Sequence, residues 1–452
     1  MRPVLLEWLD RRPPSRTAFV DVGADRSWTY AELAADVLRR AAAIAGRRKS
    51  LVACLCRTDA RSAIAYLGAM AAGHAVMMLD ADADRDTIDR LLELYQVEFV
   101  LDGDGCERLP VSGGRVDDEL ALLLSTSGST GSPKYVRLSR HNIDANAAQI
   151  VQILGIDTGE RAVQALPLHY AYGLSVLNSH LFAGASVVFP GASLVRPGFW
   201  AAVRDHACTS LAGVPSTYTI LTRIGFEDSA LPDLRTLTQA GGRMEPEAVL
   251  HFGRHMIERG GRLVVMYGQT EATARIAYVP PDRVLDKPDR VGVPVPGGRL
   301  SLADDGELLY EGPNVMLGYA RRRADLASGD GNGGRLATGD LARVDDEGFY
   351  SIVGRKHRMA KLSGRRVNLD ELEILLMAHG RVAALETSER LVLARAAGTA
   401  ATSRRELSQH AGELVRLPTR FIRVLDVDRL PLTSTGKTDY GTLADELAAS
   451  DD

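Results

Sequence analysis

A buried strand that runs directly into a glycine- and hydroxyl-rich loop constrains this chain more than any other feature. Residues 122–139 read LLLSTSGSTGSPKYVRLS. The uninterrupted apolar start is typical of a strand buried on both faces. The glycines let backbone amides approach an anion closely, and the hydroxyls add donors, so the loop suits a polyphosphate. The sequence therefore predicts a phosphate-binding loop, with a solvated surface turn as the alternative.

The residue types at fixed positions exclude the common nucleotide-binding P-loop. Lys134 has the correct spacing from Gly128, but Pro133 replaces the second glycine and Tyr135 replaces the magnesium-binding Ser or Thr. The loop closely resembles the signature loop of the adenylate-forming enzymes, which include acyl-CoA synthetases, peptide-synthetase adenylation domains and luciferases. That resemblance implies a magnesium role for Thr126. It also assigns ATP binding to Thr126, Ser127, Gly128, Ser129, Thr130, Gly131 and Lys134.

Length and charge narrow the class of protein. A chain of 452 residues is too long for one core and favours several subdomains. Its formal net charge of -4 gives no reason to expect nucleic acid or an anionic membrane as a partner. We expect a cytoplasmic protein without membrane insertion, because no apolar stretch reaches transmembrane length and no signal-peptide core is present. The four cysteines fit no zinc or redox spacing and are expected to be free thiols.

Alternating helix and strand patterns predict an α/β fold with a largely parallel sheet and ligands at strand ends. Leu51–Cys56, Ala162–Leu166 and Arg262–Met266 are among the strand-like segments, and Thr29 with Glu32 forms a capping box that predicts the start of a helix. After about residue 285, short β-like pieces predict a small β subdomain. The family resemblance implies an N-terminal adenylation domain over 1–355 and a small, mobile α+β C-terminal lid domain over 358–452, with a hinge near His357.

The stretch LPLHYAYGL at residues 166–174 resembles the segment that lines the acyl pocket in the family. The resemblance implies that His169 and Tyr170 occupy this pocket and that His169 takes part in catalysis. CoA ligases usually carry the aromatic residue first and the histidine second. The order is reversed here, so the side chain that faces the substrate is left open. The alternative is a packed loop with a buried histidine.

Two more stretches, AGGR at 240–243 and YGQTE at 267–271, follow apolar strands, where an α/β sheet binds ligands. By resemblance, Thr270 bonds the α-phosphate and Glu271 holds magnesium, which a carboxylate suits. In isolation, a Thr-Glu pair is more often a helix cap. The resemblance assigns ATP or AMP binding to Gly241, Gly242, Tyr267, Gly268, Gln269 and Thr270. It assigns the substrate pocket to His169, Tyr170, Gly173, Gly241, Arg243 and Tyr267, with Arg243 placed to meet a polar or anionic substrate group if it turns inward.

The C-terminal third completes the resemblance. Asp340 matches the aspartate that takes the ribose hydroxyls, Arg355 the arginine beside it, and Lys437 the catalytic lysine of adenylation. A turn aspartate beside an exposed arginine and a tail lysine are the alternatives. In the family the lid then swings about the hinge, so that another segment meets the thiol acceptor. That segment contains Lys361, Gly364, Arg365 and Arg366, although its arginines could equally be solvated charges.

Together, these motifs predict an ATP- and Mg²⁺-dependent, AMP-forming ligase. It would convert a small carboxylic acid to an acyl adenylate and transfer the acyl group to a thiol, with CoA as the leading acceptor. One alternative is an enzyme that loads the phosphopantetheine of an acyl carrier protein. Others are a ligase that passes the acid to an amine, and a catalytically silent nucleotide-binding relative. The joint presence of Lys134, Glu271, Asp340, Arg355 and Lys437 argues against a silent relative.

Overall fold

In a computed structural model, the chain forms two compact units. The first unit falls within residues 1–126, 132–299 and 310–336, and the second mainly within 300–309 and 337–452. The structure describes residues 8–10, 12–46, 48–111, 113–126, 134–226, 230–362, 365–387, 390–396, 402–415, 417–433 and 438–449.

Up to residue 320 the chain alternates strands and helices. In order, these are β1 (Thr17–Asp21), β2 (Arg26–Thr29), α1 (Tyr30–Ala43), β3 (Leu51–Cys56), α2 (Ala60–Ala71), β4 (Ala75–Asp80), α3 (Arg85–Leu94), β5 (Phe99–Asp102), β6 (Gly105–Arg108), β7 (Leu120–Ser125), β8 (Tyr135–Ser139), α4 (Arg140–Leu154), β9 (Arg161–Val163), α5 (Ala171–Ala183), β10 (Ser186–Phe189), α6 (Pro197–Asp205), β11 (Ser210–Gly213), α7 (Pro215–Arg223), β12 (Thr236–Gln239), α8 (Pro246–Glu258), β13 (Arg262–Tyr267), β14 (Ala277–Tyr278), β15 (Val293–Pro294), β16 (Arg299–Leu302), β17 (Glu307–Glu311) and β18 (Gly318–Ala320).

Two large sheets organise the first unit. One has nine strands in the order β15-β14-β13-β12-β11-β9-β10-β1-β2, and the other has seven in the order β18-β8-β7-β4-β3-β5-β6. From β13 to β1 the neighbours in the first sheet are parallel, as are β7-β4-β3-β5 in the second. Antiparallel strands close the edges of both sheets. The predicted α/β class is therefore confirmed.

Local sequence explains why these elements form. All six residues of β3 are buried, and so are the first five of β7, as expected for strands covered on both faces. Helix α1 begins with a capping box in which the Thr29 hydroxyl accepts from the amide of Glu32. The Glu32 carboxylate accepts in return from the Thr29 amide at 2.8 Å. The backbone amides of Thr29 and Glu32 are thus both hydrogen-bonded, within a capping box that can be recognised in the sequence.

The remaining elements belong mostly to the second unit. A sheet of order β16-β17-β19-β20 is followed by the hairpin β21-β22 and by a three-stranded sheet of order β23-β24-β25. Strands β23 and β24 are antiparallel, whereas β24 and β25 are parallel. The elements are β19 (Arg335–Val344), β20 (Tyr350–Arg355), β21 (Met359–Leu362), β22 (Arg365–Asn368), α9 (Leu369–Leu375), β23 (Val382–Thr387), β24 (Arg390–Ala396), α10 (Arg404–Val415), β25 (Ile422–Val427) and α11 (Tyr440–Ala449).

Alternation along β24 builds two apolar layers on its sheet. Leu391 and Leu393 pack in one cluster with Leu407 of α10, whereas Val392 packs in the other with Leu443 of α11. A sheet with helices segregated around it is the predicted α+β arrangement. The domain boundary at 355–358 and the hinge near His357 stay predictions.

Candidate active site

The predicted phosphate loop begins where β7 ends. Thr126 follows this strand directly, and its Oγ1 is buried without a hydrogen-bond partner among the described residues. A buried hydroxyl left without a partner costs free energy, so this atom fits a site that a ligand or ion completes. The other predicted loop residues, Ser127, Gly128, Ser129, Thr130 and Gly131, lie outside the described residues.

Lys134 and Glu271 both contact the same tyrosine, Tyr319. The Lys134 ammonium lies 4.1 Å from the ring centroid of Tyr319. The phenol of Tyr319 donates to Oε1 of Glu271 at 2.8 Å. Burial, and then the Glu271 charge, raise the pKa of Tyr319, so the phenol keeps the proton it donates. A cation and an oriented carboxylate therefore lie together in the first unit, as a magnesium–polyphosphate site requires.

The backbone around Glu271 is held in an unusual conformation. Thr273 and Ala274 have φ angles of 59° and 137°, which L residues rarely adopt. A Cβ on Gly268 would stand 1.9 Å from the carbonyl oxygen of Ala274, so only glycine permits this close approach. Buried Asn314 donates to two carbonyl groups of the segment at 2.8 and 2.9 Å. Strain that the surroundings hold in place is typical of functional sites.

The YGQTE residues occupy the end of β13 and the turn that follows it. Tyr267 is the last residue of this strand, and a short 3-10 helix, Thr270–Ala272, carries Thr270 and Glu271. The predicted contacts of these residues with ATP stay predictions. What the structure establishes is that Gly268, Gln269, Thr270 and Glu271 lie at the carboxyl end of a parallel strand, as predicted.

Tyr170 and Gly241, two residues of the predicted acyl pocket, lie against each other. Gly241 has φ 82°, and a Cβ there would stand 2.5 Å from the Tyr170 hydroxyl. The tyrosine therefore packs on the AGGR turn, and a side chain at 241 would displace it. The ring centroids of Tyr170 and Tyr172 lie 6.4 Å apart. An aromatic layer thus runs from Gly241 toward helix α5.

His169 lies near the end of β4. Its Nε2 is 3.9 Å from Oδ2 of Asp80, and its Nδ1 is buried without a partner among the described residues. Burial lowers the pKa of His169, and the carboxylates of Asp80 and Asp82 only partly oppose this. The imidazole is therefore neutral near pH 7 and suits hydrogen bonding better than charge pairing.

The other predicted pocket residues have different surroundings. A Cβ on Gly173 would lie 2.1 Å from the carbonyl oxygen of Pro167, so close packing alone explains this glycine. The Gly242 carbonyl accepts from the Gln239 amide at 2.8 Å, which fixes the turn. Arg243 is exposed. Pocket roles for Gly173 and Arg243 stay predictions.

Asp340 and Arg355 pair within the second unit. They stand opposite each other in the antiparallel pair β19-β20, and Nε of Arg355 lies 3.3 Å from Oδ1 of Asp340. The Asp340 side chain is mostly buried, whereas that of Arg355 is half exposed. The pair orients one carboxylate, as the predicted support of Asp340 by Arg355 requires.

The predicted hinge and thiol-side residues lie in a short 3-10 helix and a hairpin. His357 falls in the 3-10 helix Lys356–Arg358, and Lys361 pairs with Arg366 across β21-β22. Only the backbone of these residues and of Arg365 is described. Gly364 and Lys437 lie outside the described residues, so their predicted roles are untested.

The chain belongs to the AMP-binding enzyme family, whose model matches residues 6–115 and 107–320. A relative from Pseudomonas fluorescens, an L-proline–[L-prolyl-carrier protein] ligase, is 32% identical over 363 residues, covering 73% of this chain and 69% of its own. The 2-succinylbenzoate–CoA ligase of Bacillus subtilis is 27% identical over 320 residues, covering 69% and 64%.

Solved structures share the fold over nearly the whole chain. The O-succinylbenzoate coenzyme A synthetase of Bacillus subtilis bound to AMP matches with a TM-score of 0.79 at 24% identity, covering 98% of each chain. The same enzyme with ATP and a magnesium ion matches with a TM-score of 0.78 at 22% identity, covering 98% of this chain and 99% of its own. ATP-bound MatB from Rhodopseudomonas palustris matches with a TM-score of 0.77 at 22% identity, covering 99% of each chain.

These findings confirm the predicted family: the chain is an AMP-binding enzyme, and the two relatives named above are ligases, one acting with a carrier protein and the other with CoA. Within the described part of the chain, no helix has the length and apolar character needed to cross a membrane.

Sequence reasoning missed three side chains near this site. Tyr319 bonds Glu271 across 48 residues, and Asn314 bonds the backbone after Glu271 across about 40. Arg275 is the largest fully buried side chain in the described chain. None of the three carries a local motif, although an arginine four residues after Glu271 on an apolar background was a visible signal.

Proposed function

We propose that this protein activates a small carboxylic acid with ATP and transfers the acyl group to the thiol of CoA. The chain of contacts Lys134–Tyr319–Glu271 carries the proposal. The same unit holds the buried Thr126 hydroxyl, which has no hydrogen-bond partner among the described residues. A cation, a carboxylate and a buried hydroxyl are the groups that a magnesium–polyphosphate substrate needs.

The reaction has two steps because a carboxylate has no good leaving group. In the first, a carboxylate oxygen bonds to the α-phosphorus of ATP, the bond from that phosphorus to the pyrophosphate oxygen breaks, and pyrophosphate leaves. In the second, the thiol sulfur bonds to the acyl carbon, the bond from this carbon to the AMP oxygen breaks, and the thiol proton is lost. The protein contributes positioning and charge stabilisation more than covalent chemistry.

In this proposal, Lys134, Thr126 and Thr270 contact the phosphates, and Glu271 with Thr126 holds the metal. Tyr319 positions Glu271, which would hold the ion, by donating to one of its carboxylate oxygens. Mg²⁺, when bound, supplies charge neutralisation at the phosphates. Lys437 completes the phosphate contacts during the first step.

Other residues bind the nucleoside and the acid. Asp340, oriented by Arg355 at 3.3 Å, accepts from the ribose hydroxyls. The adenine lies between the backbone of Gly241 and Gly242 and the ring of Tyr267. Tyr170, which packs on Gly241, lines the acyl pocket. Neutral His169 hydrogen-bonds near the reacting carboxylate, because its lowered pKa disfavours a charged form.

The acceptor is CoA, with a carrier-protein phosphopantetheine as the second candidate. The similarity to the 2-succinylbenzoate–CoA ligase supports the first. The similarity to the prolyl-carrier protein ligase supports the second. We further propose that the reaction takes place in the cytoplasm, which supplies ATP, Mg²⁺ and CoA and where the four free cysteines stay reduced.

Pyrophosphate release tests the proposal. The purified chain is incubated with ATP, Mg²⁺ and a panel of aliphatic, aryl, dicarboxylic and amino acids. Each acid is run alone, with CoA, with a phosphopantetheinylated carrier protein and with hydroxylamine. Release that multiplies with CoA, together with a thioester seen by mass spectrometry, is the expected result. Release stimulated only by the carrier protein would favour the second candidate, and none with any acid would refute acid activation.

A pair of glutamate variants tests the metal site. Glu271→Gln keeps the size of the side chain and removes its charge, so kcat/KM for MgATP should fall by at least about 10-fold. The matched control is Glu258→Gln, which changes an exposed residue at the end of α8 and should keep the kcat/KM of the parent protein. Equal values for the two variants would remove Glu271 from the site.

A further inference from the structure

Arg275 places a guanidinium in the interior of the first unit, with no anion beside it among the residues that the structure describes. The residue is only 1% exposed. Its Nη1 donates to Oγ of Ser175 at 2.6 Å, and its Nε lies 3.2 Å from Sδ of Met266. Its Cζ lies 4.1 Å from the ring centroid of Tyr172. All three partners are neutral, and no ion pair joins Arg275 to any residue that the structure describes.

Other buried arginines of the same unit are compensated. Arg323, 6% exposed, forms an ion pair with Glu98 at 2.8 Å. Arg137, 4% exposed, donates to several backbone carbonyl groups. A buried charge is costly unless it is paired, and a hydroxyl, a thioether and a ring face are weaker partners than a carboxylate. Among the described residues, the Arg275 side chain has neither a carboxylate partner, as Arg323 has, nor the backbone carbonyl partners of Arg137.

The charge adjoins the proposed acyl pocket. Tyr172, whose ring the guanidinium covers, stands beside Tyr170, and Tyr170 packs on Gly241. A continuous series of neighbouring residues, Tyr170 and then Tyr172, therefore connects the AGGR turn to Arg275.

Arg275 also lines an internal cavity between α4, α5 and the sheet, together with Thr238. One carboxylate, that of Glu160, lines the same cavity, but Arg235 pairs with it at 2.7 Å. Burial lowers the pKa of Arg275, and the only groups that oppose this are the tyrosines Tyr172 and Tyr170. The nearby carboxylate is therefore not the missing counter-ion.

We propose that the acid substrate carries a second anionic group, a carboxylate remote from the one that is activated, and that Arg275 pairs with it. The inference rests on the proposed function, because it names the substrate class of that same site. Guanidinium and carboxylate match in a planar, bidentate geometry, which gives the pair both strength and orientation. A substrate with an apolar end would leave the buried charge uncompensated in the complex. Arg275 is thus the specificity-determining residue for a dicarboxylic acid.

The test compares acids that differ only in the second charge. Pyrophosphate release is measured with succinate, monomethyl succinate and butanoate, and with the corresponding adipate and phthalate series. In the series with the highest kcat/KM, the value for the diacid should exceed that for its monoester by about 100-fold. This is the effect expected when one partner of a buried charge pair is left without the other.

Arginine variants then assign the preference to this residue. Arg275→Met should remove most of the diacid advantage while changing the monoester only a few-fold, and Arg275→Lys should lie between the two. Arg254→Met, an exposed arginine of α8, is the control and should keep the parent preference. Diacid-specific thermal stabilisation of the parent protein, absent with the monoester, supports the pairing even if Arg275→Met fails to fold.

The inference and the proposed function fail on different results. Equal use of diacids, monoesters and monocarboxylates by the parent protein would refute the inference while acid activation stands, and so would a diacid preference that Arg275→Met keeps. Failure of every acid to release pyrophosphate, even with hydroxylamine, would refute the proposed function and this inference with it.

Discussion

The most informative single substitution is Tyr319→Phe, which removes one hydroxyl between the proposed phosphate cation and the proposed metal ligand. The phenol donates to Glu271 at 2.8 Å, and its ring lies 4.1 Å from the Lys134 ammonium. Phenylalanine keeps the ring and loses only the donor. A hydrogen bond to a charged group contributes about 1.5–3 kcal/mol. Tyr319 is 37% exposed, so solvent screens the bond and a value of about 1 kcal/mol applies.

That value predicts a loss of about fivefold in kcat/KM for MgATP at saturating acid. Tyr319→Leu also removes the ring beneath Lys134, a contact of about 0.5–1 kcal/mol at an exposed site, and should lose a further factor of about 2–5. Tyr350→Phe is the control, because its phenol donates only to a carbonyl group, that of Leu300, at 3.0 Å. If Tyr319→Phe and Tyr350→Phe give the same kcat/KM as the parent protein, Tyr319 does not position Glu271.

Three more predictions each concern a single residue. Gly268→Ala would force a Cβ to 1.9 Å from a backbone oxygen, so pyrophosphate release should be lost, whereas Gly114→Ala, which meets open space, should retain it. Lys437→Ala should abolish adenylate formation while a chemically supplied acyl adenylate is still consumed in the presence of thiol; normal adenylation by this variant would refute the role of the tail. Burial lowers the pKa of His180 below its ordinary 6.5, so below that pH the unfolded chain binds a proton that the native chain does not. The free energy of unfolding should therefore fall as the pH drops below about 6.5 and be flat with respect to this group above it, and a pH series of urea denaturation curves with His180→Gln should show a shallower fall.

Sequence alone predicted the elements whose signals are local. Strand β3 has the predicted bounds, Leu51–Cys56, because its apolar run is bounded by polar residues at both ends. Helix α1 begins at the predicted capping box. The strand expected at Ala162–Leu166 is shorter, because Gln164 turns the chain by donating to the Leu166 carbonyl at 2.7 Å. A side chain that bonds its own turn competes with the sheet.

Contacts between distant parts of the chain were not predictable in this way. The edge strand β2 is polar and therefore carries no strong strand pattern. Strand β1 pairs with β10 at a separation of well over a hundred residues, and no local pattern encodes that pairing. The site follows the same division. Glu271 and Lys134 were found from motifs, whereas the Tyr319 that joins them required the folded chain.

The arginine proposed for the acyl pocket shows most clearly what local sequence patterns do not predict. Position alone favoured Arg243 as the residue for an anionic substrate group, because it lies within the AGGR motif. The structure leaves Arg243 exposed and places Arg275 in the interior, where the described part of the chain supplies no counter-ion. Burial depends on the packing of α4 and α5 against the sheet, which no single motif encodes.

An oxygen-transfer measurement tests the central claim most directly. The protein is incubated with ATP, Mg²⁺, CoA and an accepted acid whose carboxylate oxygens are labelled with ¹⁸O, and the nucleotide product is analysed by mass spectrometry. Attack of the acid on the α-phosphorus, followed by cleavage of the acyl carbon–oxygen bond, leaves one labelled oxygen on AMP. The account predicts labelled AMP in equal amount to the thioester. Unlabelled AMP, or ADP with label in inorganic phosphate, would contradict it.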